Sequence, residues 1–171
     1  MHPLHQPLFV KFIVYFNDNQ DYFECHEVLE EYWKSLPDGD KTHPLTAYIL
    51  LSTGMYHWRR GNIPGALRTL RNAEKKFHSI SNLHSAFTEE IDFKRLLNNV
   101  QATIVSISSE GPFSSFLIAV TSQQLRQLVE IMEDSLPLLP EGSDAIIHKH
   151  MLRDREDILR LREEKKKGRQ C

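Results

Sequence analysis

Cysteine is scarce: the chain has only Cys25 and Cys171, too few for a disulfide framework, and a reducing compartment is expected. No apolar run reaches the roughly 18 residues of a membrane span, so no membrane partner is expected. Leu8–Phe16 is broken by Lys11 and lacks both a basic leader and a small-residue cleavage site. The expected location is cytoplasmic. Charge of one sign is missing too: 21 Lys and Arg against 23 Asp and Glu leave −2, which argues against a generally basic nucleic-acid binder. The phosphate-cradling GxxxxGKS/T and GxGxxG loops are absent, as is the GxSxG elbow. His26-Glu27 opens like HExxH, but Glu30 stands where the second histidine belongs. Phe23 and Gly54, three residues before His26 and His57, exclude a Glu-x-x-His di-iron motif. Cys25 and His26 are adjacent and would diverge by about 100° on a helix, a poor nucleophile–base pair. No cofactor and no metal is assigned, and no motif names a reaction.

What the chain does have is helix. Its 171 residues, 40% hydrophobic and 26% charged, suit one globular domain able to bury a core. The organising stretch is Leu45–Ala73. On a 100° wheel Ala47, Leu51, Gly54, Met55 and Trp58 form one apolar face, with Leu45, Ile49 and Tyr56 opposite, the pattern of a buried central helix. Gly61 suits its C-terminal cap, Asn62 the next N-cap, and Pro64 the following first turn. Gly54, Ala66, Leu70 and Ala73 fall at the offsets of a tetratricopeptide-like helix pair. No second copy recurs at about 34 residues, so a single hairpin is expected rather than a solenoid.

Around it the patterning predicts a first helix ending near Asn17 and a polar turn. A second helix starts at Asp21, with Glu24 in capping-box spacing. Its apolar face is Tyr22, Cys25, Leu29, Trp33 and Leu36. A fourth helix runs from Ile63 to Ile80, and a fifth is capped by Thr88. Beyond a break at Ser108–Pro112 come a short extended FLIAV piece and a helix opened by Thr121 with Gln124. A proline-containing crossing at Leu136–Gly142 leads to a long charged helix from Ser143. The expected fold is all-α: a compact antiparallel helix bundle round a central buried helix and a single tetratricopeptide-like hairpin. Residues 1–107 form the core and 108–171 a C-terminal helical extension packed on it.

Four features carry the candidate chemistry. His26 and Glu30 are one helical turn apart, and with Glu27 could hold a proton or a metal; the plainer reading is a buried histidine satisfied beside Trp33. His57 is a third candidate if helices two and three are neighbours. Residues 18–31 carry six acidic side chains and no basic one, while 59–76 carry six basic against one acidic. Either these pair across neighbouring helices, or Arg59, Arg60 and Arg68 with the start of helix four suit an anion. The hairpin could present a groove to a protein partner. The last helix, with Arg153, Arg155, His148 and His150, has interleaved charges and is a minor candidate for nucleic acid.

Two spaced motifs, H-E-x-x-E-x-x-W (His26, Glu27, Glu30, Trp33) and H-W-R-R-G-N-x-x-G-A (His57 to Ala66), resemble a known family. It is the group of small all-helical bacterial and archaeal proteins called domain of unknown function family three-zero-nine. F-N-x-x-x-x-Y-F-E (Phe16 to Glu24), which has one residue more than the family's spacing, and E-I-D-F-x-x-L-L fit as well. The resemblance covers about Val14 to Leu97, and HKHMLRDR resembles the extension of Bacillus-type members. It implies a compact helix bundle with a signature of His26, Glu27, Glu30, Trp33, Arg60, Gly61 and Asn62, and no activity. The leading expectation is a binding or scaffold module without catalysis. The alternative is a small-anion or metal-dependent site, hydrolytic or binding only, drawn from His26, Glu27, Glu30, Trp33, His57, Arg60 and Asn62.

Overall fold

The computed structural model describes residues 1–149. Of the long charged helix expected from Ser143, residues 150–171, with His150, Arg153, Arg155 and the basic tail, lie outside them. The fold is all-α, and among the described residues the sole strand-like feature is an isolated antiparallel bridge between Ile91 and Val120.

Among the described residues seven helices follow one another: α1 (Pro7–Val14), α2 (Tyr22–Ser35), α3 (Leu45–Arg59), α4 (Ile63–His78), α5 (Phe93–Ser108), α6 (Gln123–Ser135) and the short α7 (Asp144–Ile147). A 3-10 turn, Pro3–His5, precedes α1, and another, Asn82–Phe87, precedes α5. Helix α3 is the central one, packed against α2 on one side and α4 on the other. Leu45, Ala47, Tyr48, Leu51, Met55 and Trp58 are all buried. Gly54 lets α4 come close: a Cβ there would stand 2.5 Å from Leu70 Cγ. The α3–α4 turn is built as its residues dictate. Gly61 takes φ 87°, and Asn62 Oδ1 accepts the Gly65 N–H at 3.2 Å. Around Tyr48 the core is aromatic, with Phe9, Phe12 and Phe77 meeting it edge-on at 5.1–5.7 Å.

Several boundaries differ from the sequence reading. Helix α5 starts at Phe93 rather than after Thr88: Asp92 caps it by accepting the Arg95 N–H, while Ile91 is held in the bridge. Helix α6 is capped by Ser122, which accepts the Leu125 N–H, one residue later than Thr121. In α2 the buried stripe is Tyr22, Cys25, Val28, Leu29 and Tyr32. Trp33 is only half-buried, and its indole N–H donates to the Asp40 carbonyl at 2.9 Å. Asp21 caps α2 through the Glu24 N–H, but its own N–H goes to Tyr15 O, so the reciprocal half of the capping box is not used.

The polar turn after α1 is buried. Val14 runs into a wide turn, Tyr15–Asn19, that ends with Gln20 left-handed at φ 51°. Asn19, Gln20 and Asp21 are at most 7% exposed. Later parts of the chain cover them. Asn19 Nδ2 donates to Leu139 O at 3.2 Å, and Lys149 Nζ reaches Asp21 at 2.8 Å and Glu24 at 3.1 Å. Asn17 acts as a strand edge, its side chain bonding both the N–H and the C=O of Ile118.

Candidate functional site

Residues 22–26 of α2 and 53–60 of α3 and its C-cap border a cavity of about 180 Å³, lined among the described residues by Tyr22, Phe23, His26, Thr53, Tyr56, His57 and Arg60. Periodicity explains the meeting. Phe23 and His26 are three apart on α2, and Thr53, Tyr56, His57 and Arg60 recur at three and four along α3 and its cap, so each set shares a face. The walls are aromatic, with Phe23 and Tyr56 meeting edge-on at 5.9 Å. Arg60 lies over the Tyr56 ring, 5.4 Å from its centroid.

The hairpin turn sets the chemistry of His57. Because Asn62 Oδ1 is committed to the Gly65 N–H, its Nδ2 faces His57 Nδ1 at 3.3 Å and donates to it. Arg60 Nη2 approaches the same nitrogen at 3.4 Å. Two nitrogen donors thus converge on Nδ1 of the His57 ring. His26 sits between carboxylates: Nδ1 is 3.3 Å from Glu27 and Nε2 is 3.4 Å from Glu30. A hydrogen bond from Lys34 to Glu30 Oε1 at 2.5 Å, helped by the charge of His26, holds the Glu30 carboxyl below its ordinary range against a smaller opposing effect of burial. Glu30 is therefore a settled anion and a weak base.

Of the residues singled out from sequence, His26, His57 and Arg60 come together, with Asn62 just behind His57. Glu27 and Glu30 turn instead to a shallow acidic depression that they share with Glu24, Glu31 and Lys34. Trp33 lies nearly two turns further along α2, bonded to the Asp38–Asp40 turn. The trio Arg59, Arg60 and Arg68 is divided. Arg59 points inward, donating from Nη1 to Gln20 O at 2.6 Å and lying 4.7 Å over the Tyr22 ring, and Arg68 is on α4, away from the cavity. Of the six acidic residues in the 18–31 stretch, Asp21, Glu24, Glu27 and Glu30 find partners in His26, Lys34 and Lys149. Cys25 is fully buried, and burial raises its thiol well above the usual range, so it is inert. Phe23, Thr53 and Tyr56 line the cavity without standing out in the sequence as site residues. Their signal is weak, because an aromatic at helical spacing looks like core until a gap is seen beside it.

The sequence profile described as Domain of unknown function (DUF309) matches residues 9–69, the span that holds both motifs. An uncharacterized protein of Bacillus subtilis (strain 168), YpuF, is 32% identical over 162 residues, covering 91% of each chain. The chain belongs to the DUF309 family. No solved structure matches it.

Proposed function

We propose that this protein is a binding module for a small anion with an apolar, ring-sized body, held between α2 and α3. One observation carries the reading: His26, His57 and Arg60 border the same aromatic-walled cavity of about 180 Å³. For scale, an engineered apolar cavity of roughly 150 Å³ holds a benzene molecule. Phe23 and Tyr56 suit a flat apolar body, and the guanidinium of Arg60 suits a carboxylate or phosphate. His26 and His57 add ring nitrogens that suit hydrogen bonds to the ligand's polar end. Binding is favoured over turnover, since no carboxylate borders the cavity among the described residues and Glu30 is held by Lys34. A scaffold that docks a peptide along the hairpin is less well supported, because the seam between α3 and α4 is filled by Leu70 against Gly54.

Benzoate, benzyl alcohol and inorganic phosphate, titrated separately into the ¹⁵N-labelled full chain, form the test. Benzoate is expected to saturate, moving the His57 and Arg60 signals, with the neutral alcohol weaker and Arg60→Ala lowering affinity at least about tenfold. Benzoate binding that Arg60→Ala leaves unchanged, or shifts confined to other surfaces, would sink the proposal.

A further inference from the structure

Away from that cavity, the N-terminal 3-10 turn brings two imidazoles to a pair of adjacent glutamates. Residues three apart eclipse on a 3-10 turn, and Pro3 and the short Pro3–His5 turn put His2 and His5 side by side, ring centroids 4.9 Å apart. Facing them, 85 residues later in the chain, are Glu89 and Glu90. Their backbone is pinned: Glu90 O accepts the Thr121 N–H at 2.9 Å and the next residue forms the Ile91–Val120 bridge. His5 Nε2 is 2.7 Å from Glu90 Oε2, and His2 Nδ1 is 3.6 Å from the same oxygen. One ligand atom from each of His2, His5 and Glu90 lies within 4.8 Å of the others, close enough to surround one ion. These three side chains are 14–19% exposed, sheltered but reachable.

We propose that His2 Nδ1, His5 Nε2 and Glu90 Oε2 bind a divalent transition-metal ion, with Glu89 orienting His2. Two imidazoles and one carboxylate are the donor set of zinc and related borderline cations, leaving further positions to water. Glu89 supplies what such a histidine needs behind it. His2 Nε2 donates to Glu89 Oε1 at 2.8 Å, which fixes the proton on Nε2 and the lone pair on Nδ1. That lone pair is engaged by the Leu4 N–H at 3.1 Å, a cap on a three-residue turn that the ion would displace. At His5 the ion would replace the proton that Nε2 donates to Glu90 Oε2: the neutral ring keeps its proton on Nδ1, and any second proton is released to water. Two other groups are less suitable. His43, with Asp38 and His84, is 3% exposed and its Nδ1 caps the start of α3, while Glu30 beside His26 is neutralised by Lys34. The ion would tie the first residues of the chain to the turn that leads into α5.

Zn²⁺ titrated into the metal-free full chain, with Co²⁺ as an optical probe, tests this. One equivalent is expected to bind. His5→Ala and Glu90→Gln should weaken it at least about a hundredfold and Glu89→Gln by roughly ten- to a hundredfold, while His26→Ala leaves it unchanged. In the unaltered protein, where no variant can misfold, Zn²⁺ should shift the ring nitrogens of His2 and His5 and spare those of His26 and His84. The absence of binding, binding indifferent to His5→Ala and Glu90→Gln, or ring shifts at His26 or His84 instead overturns the proposal.

Discussion

At one end α3 begins against His43, His84 and Phe87; at the other it finishes beside His57, Arg60 and Asn62. Both ends combine histidine, an aromatic ring and a side-chain cap, and they are built to different effect. At the first end His43 is 3% exposed, its ring meets Phe87 edge-on at 4.8 Å and His84 at 5.4 Å, and its Nδ1 accepts the Leu45 N–H. There the histidine serves the backbone, packed among rings. At the second end Asn62 caps the next helix, α4, and His57 borders a cavity with Arg60 and His26. One histidine is committed to the start of a helix; the other borders a cavity.

Phe87→Ala should break the closed end most severely. It opens a hole beside His43, and the cost expected from core aromatic truncations is about 3–5 kcal/mol, read from denaturant melts. Its carbonyl, which accepts the Tyr48 hydroxyl at 2.7 Å, is retained, so benzoate binding at the other end should survive in the folded fraction.

Asn62→Ala strikes the open end. Loss of the cap should destabilise by about 1 kcal/mol and remove one of the two donors at His57 Nδ1, a change visible in the His57 ring-nitrogen shifts. Asn62→Asp separates the two roles. The cap remains, so the melt should stay within about 0.5 kcal/mol, while a carboxylate now faces His57 and the anion site. Benzoate affinity should fall. Normal benzoate binding by the Asn62→Asp variant would show that Asn62 matters only as a cap.

The ends should differ in acid as well. Burial is the main cause that lowers the His43 pKa, with His84 acting the same way against Asp38 and Asp40. A base whose folded pKa lies below its unfolded value contributes its stability above the unfolded value, near 6.5, and loses it as the pH falls towards the folded value. His43→Asn retains a capping oxygen and cannot titrate. Melts between about pH 7 and 5 should therefore fall less steeply for it than for the unaltered protein, and equal slopes would refute the assignment.

Legibility in the sequence followed the range of the interaction. The α3–α4 hairpin is legible almost residue by residue, because Gly61, Asn62 and Pro64 act on their own backbone and the 3-4 spacing of Ala66, Leu70 and Ala73 records one buried face. Thr88 misleads because it is a good cap in isolation, whereas Ile91 is drawn into a bridge with Val120 and postpones α5 to Phe93. Trp33 misleads because apolar spacing alone does not distinguish it from Tyr32, whose hydroxyl reaches Pro3 O at 2.8 Å and whose ring is buried.

The candidate site divides along the same line. That His26 and Glu30 share a face is a property of one helix and needs no structure. That His57 and Arg60 stand opposite His26, while Glu27 and Glu30 look outward, depends on how α2 is rotated against α3. By itself, then, the sequence determined the all-α fold, the central helix, the hairpin turn and the family. Each rests on periodicity, on capping within a few residues or on spaced motifs. Only the tertiary structure decided that the polar turn Asn19-Gln20-Asp21 is buried, that the cavity has aromatic walls, and that His2 and His5 meet Glu89 and Glu90. Those arrangements join residues tens of positions apart, and their geometry is set by packing between helices, which no local pattern records.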